Sequence, residues 1–406
     1  MQKNLIALAV AGLVSTGAFA QANVTVYGVA DGSFDVVRVS NTAGNAAGDN
    51  DLGNTTRVST NSSLIGFKGA EALGNGLTAV FQYESSVGFD NTGGIGATRD
   101  SFVGVAGGFG TVVLGNLTGP TRALGGAVDV NAGATGIGAN AALLGKLGGY
   151  LVNTTDLAGS YPGAAPNTTT NCGRSSTCTS IFDTRWKNAI AYVSPSFAGL
   201  SVTAAYVANE NKAFQGASAA NTTGYDVGLK YANGPAMAAV TYNAVSLGQT
   251  FAGGSKQADV SDFRVGGSYD FGIASVRALF DHARADHAGI GGKITQNVFG
   301  LGGTFNVTPA GKLLAQVYLA RDLKVDGSDA KDSGAKLFEV GYEHSLSKRT
   351  MLKAVYAHLN NDNKASYDFG INAVGINAAS MGAPAAGLNT TGATIQGIQL
   401  GLRHSF

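Results

Sequence analysis

Charge is the first thing this chain lacks. Only 13% of its 406 residues are Asp, Glu, Lys or Arg, about half the share usual in a soluble protein. It also lacks long apolar runs. Nothing after the first twenty residues approaches the roughly 20 consecutive apolar residues that a transmembrane helix requires, so a helical membrane protein is excluded. Cysteine is confined to Cys172 and Cys178. Once Lys3 is set aside with the leader described below, basic and acidic residues balance at 26 each. That leaves no basic face for nucleic acid and no acidic tail. A Gly-x-Ser-x-Gly nucleophile elbow is missing, as is a Gly-x-x-x-x-Gly-Lys-Ser/Thr phosphate loop. With no nucleophile constellation and no nucleotide cradle, the reading is that the chain is not an enzyme and has no cofactor.

Glycine, in contrast, is abundant at 60 residues, and the mean hydropathy is slightly positive. Residues 1–20 read as a cleaved secretory signal. Lys3 gives a positive start, Leu5 to Val14 an apolar run too short to span a bilayer, and Ala18-Phe19-Ala20 the small residues of a cleavage site. An exported chain with little charge and no spanning helix fits a membrane β-barrel, in which every backbone N–H and C=O is paired between strands. The last strand carries the same message. Ile398, Leu400, Leu402 and Phe406 share one face, and Gln399, Gly401, Arg403 and Ser405 the other. An aromatic at the membrane interface closes an apolar, lipid-directed row.

The rest of the mature chain, 21–406, reads as one domain of strand-sized segments with a two-residue period. Leu77, Ala79, Phe81 and Tyr83 alternate with Thr78, Val80, Gln82 and Glu84. Comparable segments run from Phe263 to Phe271, Val276 to His282, Val298 to Val307, Leu313 to Ala320, Phe338 to Ser345 and Leu352 to His358. About sixteen such strands are expected, enough to enclose a water-filled lumen. Short connections such as Ala232-Asn233-Gly234-Pro235 alternate with longer polar ones such as Asn360 to Thr391. The fold class predicted is therefore all-β, a transmembrane antiparallel up-and-down barrel. The longest connection, Asn116 to about Thr184, needs a functional reason for its size, and folding inward to narrow the barrel supplies one. Cys172 and Cys178 lie within it, spaced for a local disulfide in an oxidising compartment. No histidine neighbours them, and Asp281-His282 with Asp286-His287 scatter over both faces of a strand, so no metal site is expected.

Several stretches, in order along the chain, resemble the trimeric general porins of Gram-negative bacteria, of the β-proteobacterial type. They are Val24-Thr25-Val26-Tyr27-Gly28-Val29-Ala30-Asp31, Ile65-Gly66-Phe67-Lys68-Gly69, Leu73-Gly74-Asn75-Gly76-Leu77 and Gly108-Phe109-Gly110-Thr111-Val112-Val113-Leu114-Gly115. Tyr342 to Thr350 and the ending Gly401-Leu402-Arg403-His404-Ser405-Phe406 complete the set. The resemblance implies a cell outer-membrane location, a homotrimer, contact with outer-membrane lipid and lipopolysaccharide, and delivery to the barrel-assembly machinery through Phe406. It further implies an inward third loop with acidic residues facing a ladder of basic side chains on the wall. Charges lining such a low-dielectric constriction select ions by sign.

Carried over position by position, the expected pore-lining set is Tyr27, Asp31, Leu64, Lys68, Asp100, Asp129, Arg185 and Lys187. Alternation puts Leu64 and Lys68 inward opposite Ile65 and Phe67, and Asp100 inward opposite Val103 and Val105. Arg185 matches a wall arginine of the family, with Lys187 two residues on. Asp129 is the expected acidic residue of the loop. Leu64 stands where relatives often carry arginine and Asp100 where some carry a base, so a weaker anion preference is predicted. The function expected is passive diffusion of small hydrophilic solutes and ions. The alternative is a substrate-specific outer-membrane channel, whose aromatic ladder or dense single-sign charge does not stand out.

Overall fold

The computed structural model describes residues 23–41, 51, 53–90, 96, 98–149, 180, 182–208, 213–215, 218–220, 222–250, 256–287, 292–374 and 391–406. The expected leader, 1–20, and Cys172 and Cys178 lie outside the described residues.

The chain closes into a sixteen-stranded antiparallel barrel. Strand β1 is Asn23–Ser40, and β2 has two segments, Gly53–Thr60 and Leu64–Gly74. Then follow β3 Leu77–Ser86, β4 Ser101–Gly107, β5 Gly110–Thr118, β6 Arg185–Val193, β7 Leu200–Val207 and β8 Thr222–Asn233. The second half comprises β9 Ala236–Thr250, β10 Lys256–Asp270, β11 Ala274–His287, β12 Gly292–Asn306, β13 Gly311–Ala320, β14 Ala335–Ser345, β15 Thr350–Asn361 and β16 Thr394–Ser405. Neighbours in sequence are neighbours in the sheet, and β16 returns to β1 in a register running from Val29↔Ser405 to Ser40↔Thr394. Closure removes both sheet edges, the condition for placing a sheet in lipid. No helix among the described residues is long and apolar enough to cross a membrane.

Alternation decides which face is which. On β1, Asp31 and Asp35 are wholly buried, whereas Phe34 between them is 49% exposed. On β16, Gln399 is buried and Ile398 and Leu400 on either side are about half exposed. Apolar residues outward and polar residues inward invert the order of a soluble protein and define a lipid-facing belt. The end of the chain is fastened into that belt. Gly28 and Phe406 exchange two backbone hydrogen bonds of 3.1 Å, and a Cβ on Gly28 would lie 2.3 Å from the Phe406 ring. At the same end of the barrel, Asn75 and Gly76 join β2 to β3 with φ of 53° and 77°. Two successive positive-φ residues make the primed turn that matches strand twist.

Several strands extend beyond the apolar segments read from sequence. β10 begins at Lys256 rather than Phe263, and β11 reaches His287 rather than His282. In these extensions the outward face turns polar, with Asp259, Arg284 and Asp286 exposed, while Val260, Ala283 and Ala285 are buried on the inner face, so the ladder continues where the lipid-facing apolar row has ended.

A sixteen-stranded wall encloses more space than its own side chains fill. Two external connections occupy part of it: the described portion of 119–184, between β5 and β6, and residues 362–374, between β15 and β16. Their apolar side chains pack with inward wall residues into a cluster that includes Val37, Leu124, Ile137, Leu143, Leu144, Tyr318, Leu359, Phe369 and Ile395.

Candidate functional site: the lumen and its constriction

The third external connection enters the barrel as helix α1, Pro120–Val128. Proline at the helix start costs no hydrogen bond, since that N–H has no intrahelical partner. The next N–H, that of Thr121, points at a wall carboxylate. Thr121 donates its backbone N–H to both Asp226 oxygens at 3.3 Å and its hydroxyl to Oδ1 at 2.7 Å. Trp186 Nε1 donates to Asp226 Oδ2 at 3.3 Å. A negative group at a helix N-terminus is favoured by the helix dipole as well as by these bonds.

Wall glycines make room for the helix. A Cβ at Gly228 would meet Pro120 at 2.6 Å, one at Gly266 would meet Leu124 at 3.3 Å, and one at Gly302 would meet Val130 at 2.8 Å. Glycine within a strand here marks a close approach by the side chains of the connection. Gly119 is tied more closely still, because its Cβ would lie 2.1 Å from Asp226 Oδ2.

Arg264 clamps the other end of the connection. Its guanidinium is fully buried and donates to Asp281 Oδ1 at 2.8 Å, to Asp183 Oδ1 and Oδ2 at 2.9 and 3.2 Å, to Asp262 Oδ2 at 3.2 Å and to Thr121 O at 3.0 Å. Asp262, Arg264 and Asp281 belong to the wall, and Asp183 and Thr121 to the connection. One cation thus joins the two ends of the loop to β10 and β11.

The residues expected from sequence fall into three groups. Asp129 is 1% exposed and holds the loop's own backbone: it accepts from Asn140 N at 2.7 Å, Asn131 N at 2.8 Å and Asn131 Nδ2 at 3.0 Å. Arg277 donates to its carbonyl oxygen. Burial pushes the Asp129 carboxyl up, against the hydrogen bonds from Asn140 and Asn131. Its place is inside the folded loop rather than on an acidic face towards water.

Asp31 sits on the wall as the hub of a charged cluster. Lys353 Nζ and Arg403 Nη1 each lie 2.8 Å from its carboxylate. Asn61 Nδ2 donates at 2.9 Å, and Thr135 of the third connection donates its hydroxyl at 3.0 Å. Gly133 and Gly136 approach the wall beside Arg403 and Gln399.

The third group lies around β1 to β6. Tyr27 donates to Glu84 Oε1 at 2.8 Å, and Lys68 Nζ stands 5.1 Å from the Tyr27 ring centre. Leu64 opens the lower segment of β2, where it is half-buried and adds no charge. Asp100 accepts from Thr118 N at 2.6 Å and Thr118 Oγ1 at 3.0 Å, and pairs with Arg185 Nε at 3.4 Å. Arg185 and Lys187 do not share a wall with their neighbours as simple alternation has it. The register breaks between Gly115 and Leu117, and Asn188 takes a φ of 53°. This bulge turns Trp186 inward, where it is 1% exposed, and leaves Lys187 exposed beside it.

The basic residues absent from the expected set are more numerous than those in it. Arg57 pairs with Asp35 at 3.1 Å, Arg99 with Glu84 at 3.2 Å, and Lys312 with Glu343 at 2.5 Å. Arg122 of α1 feels both Arg185 and Arg99; burial first, then repulsion from Arg185, lowers it to about 10. Several of these carried a signal. Arg264 lies between outward Phe263 and Val265, Lys353 follows outward Leu352, and Arg403 follows outward Leu402. A charge embedded in an apolar alternation faces the lumen.

A closed barrel of sixteen strands, with an apolar belt outside, charged residues inside and an external loop folded into its lumen, defines a membrane channel of the porin class. Comparison with known proteins gives the family. The family model described as Gram-negative porin matches residues 7–364. Outer membrane porin protein 32 of Delftia acidovorans is 32% identical over 414 residues, covering 100% of both chains. Major outer membrane protein P.IB of Neisseria gonorrhoeae is 30% identical, covering 72% of this chain and 67% of its own length. Among solved structures, the anion-selective porin from Comamonas acidovorans superposes with a TM-score of 0.68 at 28% identity, covering 95% of this chain and 100% of its own. The chain belongs to the Gram-negative porins. It is an outer-membrane porin, a passive channel of a family whose members are channels rather than enzymes.

Proposed function

We propose that this porin passes small hydrophilic solutes and ions with a weaker anion preference than relatives that keep a full basic ladder. The observation behind this reading is the pairing of wall charge. Asp31 takes Lys353 and Arg403, Asp100 takes Arg185, Glu84 takes Arg99, and Asp35 takes Arg57. Leu64 contributes no charge among them. A base whose counter-charge lies within 4 Å adds little to the field at the pore axis, because the pair acts as a short dipole; of these bases only one, in the Asp31 cluster with its two cations, is left without its own counter-charge. The relative from Comamonas acidovorans is described as anion-selective, and it sets the scale for comparison.

The pore-lining set under this reading is Tyr27, Asp31, Leu64, Lys68, Asp100 and Arg185, while Lys187 is turned off the inner face by the bulge at Asn188 and Asp129 holds the loop. Removal of residues 1–20 as an export signal, with 21–406 forming the barrel, completes the proposal, together with assembly as a homotrimer. Contact with lipopolysaccharide at the rim and recognition of Phe406 by the barrel-assembly machinery belong to the same reading. The test is the reversal potential of the reconstituted channel across a potassium chloride gradient. A value near zero, or a small one of anionic sign, is expected. A strongly anion-selective value would refute the charge-pairing account.

A further inference from the structure

Residues 362–374 belong to the last external connection, yet they lie within the wall rather than above it. Ala365, Tyr367, Asp368 and Phe369 have no solvent exposure. Besides its hydrogen bonds to Asn361 at the end of β15 and to Asp332 and Gly334 of the neighbouring connection, the segment is held by three further surfaces. On β2, Arg57 donates to the carbonyl oxygens of Asn372 and Ala373 at 2.5 and 3.0 Å, and Asn372 Nδ2 donates to Asn61 Oδ1 at 2.8 Å. On β12, Gln296 accepts from the Tyr367 hydroxyl at 2.5 Å. On the third connection, Gly148 donates its N–H to that same hydroxyl at 2.8 Å and accepts from Ser366 N at 3.3 Å.

The contact is apolar at its centre. Tyr367 and Phe369 join Ile137, Leu143 and Leu144 of the third connection and Val37 and Ile395 of the wall in one cluster. Apolar packing that bridges a lumen excludes water and ions from the region it fills. It is not what a permanently open pore requires.

One group in this contact opposes it. Lys146 is fully buried, its amine has no hydrogen-bond partner among the described residues, and it lies near Asp368 of the segment and Asp183 of the third connection. A buried amine without a partner penalises the packed arrangement, so docking carries a built-in cost that separation relieves.

We propose that residues 362–374 form a reversible plug: docked on the third connection they close the external half of the lumen, and released they leave a channel narrowed by the third connection alone. The inference rests on the diffusion-channel reading. It adds a closed state to it.

Gly370 provides the test. A Cβ there would meet Ala141 C at 2.4 Å and Ala142 N at 2.5 Å, both backbone atoms of the third connection. Gly370→Val therefore prevents docking without touching the wall. In planar-bilayer recordings its occupancy of the high-conductance state should rise about tenfold over the parent, and deletion of 365–373 should hold the channel open. Heat-modifiable mobility on gels reports that each barrel is folded. A second route leaves the docked packing almost unchanged: in Ala365→Cys, a bulky membrane-impermeant thiol reagent should react only during openings and then hold the channel conducting, with peptide masses locating the adduct. Parent-like currents from Gly370→Val and the deletion, or complete modification of Ala365→Cys without a change in current, would overturn the plug. Silence from every folded variant, plug-deleted included, would overturn the diffusion-channel reading beneath it.

Discussion

Replacing Arg264 by methionine should release the third connection from the wall while leaving the barrel closed. The guanidinium serves three buried carboxylates and one carbonyl, but its bonds divide unequally between the two possible states of the loop. Asp262 and Asp281 are wall residues and remain beside position 264 whether or not the loop is docked. Only the bidentate pair with Asp183, at 2.9 and 3.2 Å, and the bond to Thr121 O, at 3.0 Å, hold the connection. Hydrogen bonds to a charged group contribute about 1.5–3 kcal/mol each, and removing one partner of a buried ion pair costs about 3–5 kcal/mol. Water entering the lumen offsets part of that, which leaves about 3 kcal/mol on the docking equilibrium. At about 1.4 kcal/mol per decade, docking weakens roughly a hundredfold. Single-channel recordings should show noisier and larger currents, and polyethylene glycols excluded from the parent should enter the variant. Adding Asp183→Asn removes the stranded loop carboxylate and should recover part of the docking. Parent-like current, noise and exclusion limit in a folded Arg264→Met barrel would refute the idea that this cation holds the loop.

Gly119→Val places a Cβ at 2.1 Å from Asp226 Oδ2, and overpacking of that kind costs about 1–3 kcal/mol; the start of α1 should loosen, which faster proteolysis of the connection in folded barrels would report. Asp31→Asn keeps the volume but withdraws the counter-charge from Lys353 and Arg403, so the reversal potential should move in the anion-selective direction, and an unmoved value would show that the hub lies off the ion path. The plug should also respond to pH. Burial lowers the Lys146 amine from 10.5 to about 8, with Asp368 on the plug and Asp183 on the loop opposing the shift; the wall residues Asp262 and Asp281 stand by the adjacent Gly145, and Arg264 lies among these carboxylates. Because its pKa is depressed in the docked state, that state binds fewer protons between about pH 8 and 10.5, so docking tightens as pH rises through this window and its penalty is complete below it. Closed time should lengthen from pH 8 to 10, and Lys146→Met should remove that dependence.

What could be read along the chain was whatever depends on one strand and the medium on either side of it. Phe34 between Asp31 and Asp35, or Leu402 beside Arg403, states its orientation without reference to the rest of the fold. The expected strand number and the closed antiparallel topology follow from such local contrasts. The contrast reverses in the extensions of β10 and β11, where Val260, Ala283 and Ala285 face inward and Asp259, Arg284 and Asp286 outward, which is why these strands extend further than their lipid-facing apolar residues do. It also fails at Asn188, where one left-handed residue reverses parity and exchanges Lys187 for Trp186 on the inner face. Nothing local marks Asn188 as left-handed, since asparagine is as common in ordinary turns. The lumen was legible in part. Arg264, Lys353 and Arg403 could be placed inside by alternation, but their partners could not. Asp183 and Asp31 lie 81 and 322 residues from Arg264 and Lys353 respectively in the pairs they form, and only barrel closure and loop entry bring them together.

The inner wall is therefore better understood as a set of docking sites than as a bare ladder of charge. A narrow barrel can fill its interior with wall side chains, but sixteen strands leave a space that loops must enter if the passage is to be narrowed. A loop entering such a space brings backbone N–H and C=O groups that lose contact with bulk water, and each needs a partner. Wall carboxylates and amides meet that need: Asp226 takes the start of α1, Gln316 Oε1 takes the N–H of Val130, and Gln296 takes that of Gly148. Arg57 serves the carbonyls of the last connection in the same way. A wall charge committed to a loop is withdrawn from the ion path, so substitutions at Asp226, Arg264 and Arg57 should change pore width before they change selectivity, and Asp31 should do the reverse. The order of those two effects separates docking residues from field-setting ones in any variant of this barrel.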